Sequence, residues 1–117
     1  LVMSLPAVAA DNRRAVERYP LRTKVLVVIG DQHRLDVRPL DVGKGGMGIV
    51  SDWNLPVGTP VVVKFNLPVK HTSAPLILNA VVVNGALAGS LGGFRVGLQF
   101  RGVSPQATQA LEQFVQR

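Results

Sequence analysis

The chain has 117 residues, one domain's worth, and 47 % are apolar against 17 % charged, which excludes an intrinsically disordered protein. It has no cysteine, so disulfides and cysteine-ligated metals are excluded, and the absence fits a reducing compartment. The net charge is +6, and Arg13, Arg14, Arg18, Arg22 and Lys24 fall close together with only Glu17 opposing them. Such a cluster suits an anionic partner, or it is a solvated basic arm.

The first residues, LVMSLPAVAA, are uncharged and mildly apolar. Without a basic segment before them, and with Pro6 inside them, they do not read as a signal peptide. Residues 1–11 read as a tail or linker, either a cloning remnant before Met3 or a connection from a larger protein. Residues 12–117 form the domain. No apolar run approaches the ~20 residues that span a bilayer, so no direct membrane insertion is expected.

From Leu21 the pattern turns to β. KVLVVIG (24–30) is β-branched and ends at the Gly30-Asp31 turn signal. HRLDVRPL (33–40) alternates, with Leu35 and Val37 facing one way and Arg34, Asp36 and Arg38 the other. The glycine-rich DVGKGGMGIV (41–50) follows and ends in a short strand over 47–51. LPVGTP (55–60) is a turn between strands. PVVVKFNLP (60–68) and PLILNAVVVNGA (75–86) are strands, the second long enough to be bent or bulged. GFRVGLQF (93–100) places Phe94, Val96, Leu98 and Phe100 on one face. The period then changes: SPQATQALEQFVQR (104–117) brings Ala107, Ala110, Leu111, Phe114 and Val115 onto one helical face, with Ser104 as N-cap and Pro105 at the first helical position. Turn signals at short intervals favour an all-β antiparallel barrel or sandwich, with the helix covering one open end or edge.

These residues do not suggest an enzyme. His33 and His71 are the only side chains that ordinarily titrate near neutrality, and both sit in polar, turn-like surroundings. Asp36 and Asp41, five apart, are expected to face opposite ways. No metal-ligand cluster is visible. The glycine stretch is not a phosphate-binding P-loop, because Gly45 follows Lys44 where that motif needs Ser or Thr. No dinucleotide-fold fingerprint is present. Of six aromatics, Phe65, Phe94, Phe100 and Phe114 fall at core positions. Only Tyr19 and Trp53 remain to stack bases, with Trp53 a candidate loop anchor, so no nucleic-acid polymer is expected as partner.

One combination carries chemistry. RRAVER (13–18) holds Arg14 and Arg18 in R-x-x-x-R spacing with Arg13 before them, and Asp41-x-Gly43-x-x-Gly46 follows downstream. Two guanidiniums suit a phosphodiester and the O6/N7 edge of guanine. A carboxylate suits the N1–H and N2–H donors of the same base. Glycines allow close backbone approach and positive φ. Read without a ligand, Arg14 and Arg18 are a solvated arm, Asp41 a turn cap, Gly43, Gly45 and Gly46 a tight connection, and Lys44 an exposed loop tip.

With these motifs the sequence resembles the PilZ domain family, bacterial receptors for cyclic di-GMP. The family's hallmarks are R-x-x-x-R and [D/N]-x-S-x-x-G. Arg14 and Arg18 match the first, Asp41 and Gly46 the second, and FRVGLQF resembles the family's V-G-x-x-F strand. The resemblance implies a six-stranded antiparallel split β-barrel with a C-terminal α-helix, bacterial and cytoplasmic, alone or within a larger protein. It implies cyclic di-GMP as the ligand and no cofactor. Arg13, Arg14, Arg18, Asp41, Gly43 and Gly46 are the implied ligand-binding residues, and the Arg-rich arm is implied to rearrange on binding and regulate a partner protein or attached domain. Arginine at position 13 goes, in the family, with two ligands per domain. Gly43 stands where the family has serine, and restoring the hydroxyl by Gly43→Ser is expected to tighten binding. Two other readings stay open: a ligand-independent adaptor in motility or pilus machinery, and a small barrel for single-stranded nucleic acid.

Overall fold

A computed structural model describes residues 17–116. Seven strands, one α-helix and a short 3-10 turn (Gly89–Leu91) are present among them: β1 (Arg18–Pro20), β2 (Val25–Ile29), β3 (His33–Gly43), β4 (Gly46–Ser51), β5 (Pro60–Val69), β6 (Thr72–Ala88), β7 (Gly93–Arg101) and α1 (Pro105–Val115). All strand pairs are antiparallel, in the order β1-β3-β2-β5-β6-β7-β4, and β4 pairs back onto β3. This pairing closes a six-stranded barrel and leaves β1 as an extra strand. Closure removes the unpaired edges that an open sheet of this length would present.

The alternation read in the sequence sets the barrel's inside. Val37, Val25, Phe65 and Leu76 lie in one cross-strand row, and all four are buried. Val42, Met47, Leu98 and Val82 form a row on the other side of the barrel, each with 0 % exposure. A fully buried side chain of this kind stabilises by roughly 1.5–3 kcal/mol relative to exposure. Gly30 makes the β2–β3 turn at φ +63°, a left-handed conformation costly to other residues.

α1 plugs the barrel. Ala107, Leu111 and Phe114, spaced four and three apart, are buried, with Ala110 and Val115 packed alongside. The helix rests on β5 and touches β3. Its start is fixed as the sequence indicates: Pro105 occupies the first turn, and Ser104 Oγ accepts the Ala107 N–H at 3.1 Å, a cap worth ~0.5–2 kcal/mol. Among the described residues no helix is long and apolar enough to cross a membrane.

Two register breaks were only half foreseen. The long β6 carries one between Val82 and Asn84, as its length suggested. β3 carries another between Pro39 and Asp41. The extra residue there, Leu40, exchanges the faces beyond it. Asp36 and Asp41 therefore both face outward, contrary to the expectation of opposite faces. They stand roughly 15 Å apart along the strand at ~3.3 Å per residue, too far to act as a pair.

Candidate functional site

β3 and β4 are joined through Lys44 and Gly45, two residues of the glycine stretch. The Gly45 carbonyl accepts the Phe100 N–H of β7 at 2.8 Å, tying this turn to the neighbouring strand. None of Gly43, Gly45 and Gly46 has positive φ, so the expected left-handed turn is absent. The glycines serve close approach instead. A Cβ at Gly43 would stand 2.3 Å from the Glu17 carbonyl oxygen, and one at Gly46 would stand 2.2 Å from the Leu98 carbonyl oxygen. β1 lies directly over Gly43, with Arg18 opposite it in register.

This packing gives Gly43 a structural reason. A serine there collides with the backbone of the arm unless β1 moves, so restoring the family hydroxyl does not simply add a hydrogen bond.

The two sequence motifs meet. Arg18 Nη1 lies 3.6 Å from Asp41 Oδ1, with the side chains 36 % and 27 % exposed. Arg18 Nη2 lies 3.1 Å from where a Gly46 Cβ would be. The same Asp41 oxygen accepts the Gly48 N–H at 3.1 Å, which orients the carboxylate over β4. Arg18, Asp41, Gly43 and Gly46 are thus brought together, while Arg13 and Arg14 lie outside the described residues.

The surroundings are unusually bare of side chains. Asp41 opposes Gly48, Gly48 opposes Gly97, and Gly97 opposes Asn84, in one row across β3, β4, β7 and β6. In the next outward row, Arg38 and Arg95 flank Val50. Arg95 is exposed, and Arg38 donates to the Leu91 carbonyl. The result is a glycine floor with a carboxylate at one side and guanidiniums nearby. The floor glycines are themselves buried, with Arg18 over Gly46, Asp41 over Gly48 and Asn84 over Gly97, so the groups offered to a flat anionic ligand are these polar side chains, and the cations offset phosphate charge. A cleft of about 410 Å³, lined by Glu17, Lys44, Glu112, Val115 and Gln116, adjoins the turn.

Lys44 is half-buried in that cleft, not exposed as a loop tip. Trp53 is 66 % exposed and so does not anchor its loop through the ring. Gly48 and Asn84 were not singled out from sequence. The signal for Asn84 was the bulge in β6, whose position alternation alone does not give. Among the described residues no group of three His, Asp or Glu side chains is placed to hold a metal.

The sequence matches the PilZ domain family model over residues 12–117, and the chain belongs to that family. No curated protein matches the chain. Among solved structures it resembles the Bacillus subtilis inhibitor of motility MotI/DgrA, with TM-score 0.72 and 16 % identity over 86 % of this chain and 48 % of that one. It resembles Borreliella burgdorferi PlzA, solved with c-di-GMP, with TM-score 0.64 and 12 % identity over 96 % of this chain and 45 % of that one. The PilZ domain of Escherichia coli YcgR, also solved with c-di-GMP, gives TM-score 0.56 and 19 % identity over 82 % of both chains. The chain spans about half the length of MotI and PlzA. At such identities the likeness is one of fold.

Proposed function

We propose that this domain is a cyclic di-GMP receptor whose ligand lies between the Arg-rich arm and the glycine floor. The observation that carries the reading is the Arg18–Asp41 contact at 3.6 Å, which joins the two halves of a PilZ-type motif above Gly46. Arg14 and Arg18 hold phosphates and guanine edges through charge-assisted hydrogen bonds. Asp41 accepts from guanine N1–H and N2–H. Gly43 and Gly46 let the arm and the ligand approach the backbone. Arg13 stacks on a base or pairs with a further phosphate, which accommodates a second ligand.

The switch is electrostatic. Arg13, Arg14 and Arg18 repel one another until phosphates neutralise them, and the arm then repositions over the ligand. Giving up the Arg18–Asp41 pair for ligand contacts costs little, because a part-exposed pair is worth only ~0.2–1 kcal/mol. The output passes to a partner protein or an attached domain in the bacterial cytoplasm.

Isothermal titration calorimetry tests the reading. The chain is expected to bind cyclic di-GMP at micromolar concentration or below, and the Arg14→Ala/Arg18→Ala double variant to lose that binding. Equal behaviour of the two proteins sinks it.

An adaptor role is favoured by a different observation, the exposed Ile77 and the half-buried Leu26, Val28, Val62 and Val81 on the outer face of β2, β5 and β6. Capture of the same partner with and without cyclic di-GMP supports that role.

A further inference from the structure

The row Asp41–Gly48–Gly97–Asn84 owes both its polar ends to register breaks. In β3, Pro39 opposes Ile49 and Asp41 opposes Gly48, leaving Leu40 as the extra residue. In β6, Val82 opposes Leu98 and Asn84 opposes Gly97, leaving Val83 as the extra residue. In unbroken ladders Leu40 would oppose Gly48 and Val83 would oppose Gly97. Each bulge therefore replaces an aliphatic side chain above a glycine with a polar one, and re-aiming a side chain is what bulges do beside functional sites.

The two ends are alike in placement. Asp41 Oδ1 lies 3.0 Å from where a Gly48 Cβ would be, and the Asn84 Oδ1 and Nδ2 lie 2.5 and 2.8 Å from where a Gly97 Cβ would be. Gly48 and Gly97 are directly opposed, so these Cβ positions are about 4.5–5.5 Å apart. A carboxylate and a carboxamide thus stand over neighbouring positions of one side-chain-free floor. The rotation of the carboxamide about its last bond decides which atom faces inward, and a ligand can select either.

We propose that Asn84 is a specificity-determining residue that reads guanine together with Asp41. Guanine's Watson–Crick edge carries an acceptor, O6, beside two donors, N1–H and N2–H. Asn84 donates to O6 while Asp41 accepts from the two donors. Adenine has no N1–H or N2–H for the carboxylate, so it loses both Asp41 contacts, and the carboxamide, locked by guanine with its amine toward O6, must turn over to meet adenine's N6 amine. The inference rests on the cyclic di-GMP reading and adds a residue that neither R-x-x-x-R nor D-x-G-x-x-G contains.

The test is calorimetric titration of the full chain and of its Asn84→Ala, Asn84→Asp and Arg18→Ala variants with cyclic di-GMP and cyclic di-AMP. Asn84→Ala is expected to bind cyclic di-GMP about threefold to tenfold more weakly. Asn84→Asp, nearly isosteric, should lose more, since it turns an acceptor toward O6 and adds a second negative charge beside Asp41. Both should unfold at the wild-type temperature, and the preference for cyclic di-GMP over cyclic di-AMP should narrow. Wild-type affinity in both Asn84 variants, with Arg18→Ala impaired, overturns the role of Asn84 and leaves the receptor reading standing. An equal loss for both dinucleotides overturns the specificity role. No binding of cyclic di-GMP by the unmodified chain at millimolar ligand overturns both proposals.

Discussion

The barrel has two unlike outer faces. Across β4 and β7 the outward positions Gly46, Gly48 and Gly97 are glycine, and charged or amide side chains reach in from the flanking strands. Across β2, β5 and β6 the outward positions include Leu26, Val28, Val62, Ile77 and Val81, with Lys64 and Asn79 set among them, in rows that end in Arg34, Asp36 and Arg101. The ladders are of the same antiparallel kind on both sides. The difference lies in what stands on them. A face without side chains of its own lets neighbouring polar groups lean inward over the backbone. A face filled mostly with aliphatic side chains gives the strands β propensity but offers a ligand fewer hydrogen bonds.

Filling the empty face should have the largest effect. Gly46→Val places its first carbon 2.2 Å from the Leu98 carbonyl oxygen, a backbone atom that cannot step aside. The expected destabilisation is about 1–3 kcal/mol, typical of overpacking, together with loss of ligand binding. Chemical denaturation and calorimetry read the two effects. A variant of wild-type stability would show that β4 and β7 sit farther apart than described.

Removing charge while leaving the floor open should cost binding but not stability. Arg18→Ala should weaken cyclic di-GMP binding about tenfold to a hundredfold, the worth of ~1.5–3 kcal/mol for a hydrogen bond to a charged group. Its unfolding free energy should fall by less than ~1 kcal/mol, since the Arg18–Asp41 pair is part-exposed. A large stability loss with unchanged binding would make Arg18 a structural residue.

Gly43→Ser is a subtler case, because motif and packing point in opposite directions. The motif alone expects the hydroxyl to tighten binding. The structure expects the serine Cβ to press on the Glu17 carbonyl oxygen at 2.3 Å and loosen β1 from β3. Amide exchange of Arg18 and Tyr19 should accelerate, and affinity should fall severalfold or stay level. Tighter binding with unchanged exchange would show that β1 yields at little cost.

Much of this was legible in the sequence. Alternation over 33–40 and 93–100 identified inner and outer residues, and Ser104 and Pro105 marked the start of α1, because such signals are local. The motif residues Arg18 and Asp41 were legible as well, since their chemistry is particular. The floor was not. Gly48 and Gly97 become neighbours only through the β4–β7 register, and Asp41 and Asn84 reach them only through bulges. A bulge shifts a strand by one residue without leaving a composition signal, so alternation wrongly set Asp36 and Asp41 on opposite faces. Trp53 and Lys44 were misplaced for a related reason: a side chain's exposure in a loop depends on elements distant in sequence.

The smallest effects should come from the filled face. Ile77 is 68 % exposed and stands outward beside Lys64 in the cross-strand ladder. Ile77→Thr keeps a β-branched side chain, so it should change stability by no more than ~0.5 kcal/mol, as surface substitutions usually do. It should leave cyclic di-GMP affinity unchanged, because Ile77 shares no contact with Arg18, Asp41 or the floor, and distant independent sites add without coupling. The variant therefore separates the two faces. If it abolishes capture of a partner protein while calorimetry with the nucleotide is untouched, the apolar face transmits and the glycine face senses. If nucleotide affinity falls with it, the faces are coupled through β6, which carries both Ile77 and Asn84, and the bulge at Val83 is the place where that coupling must pass.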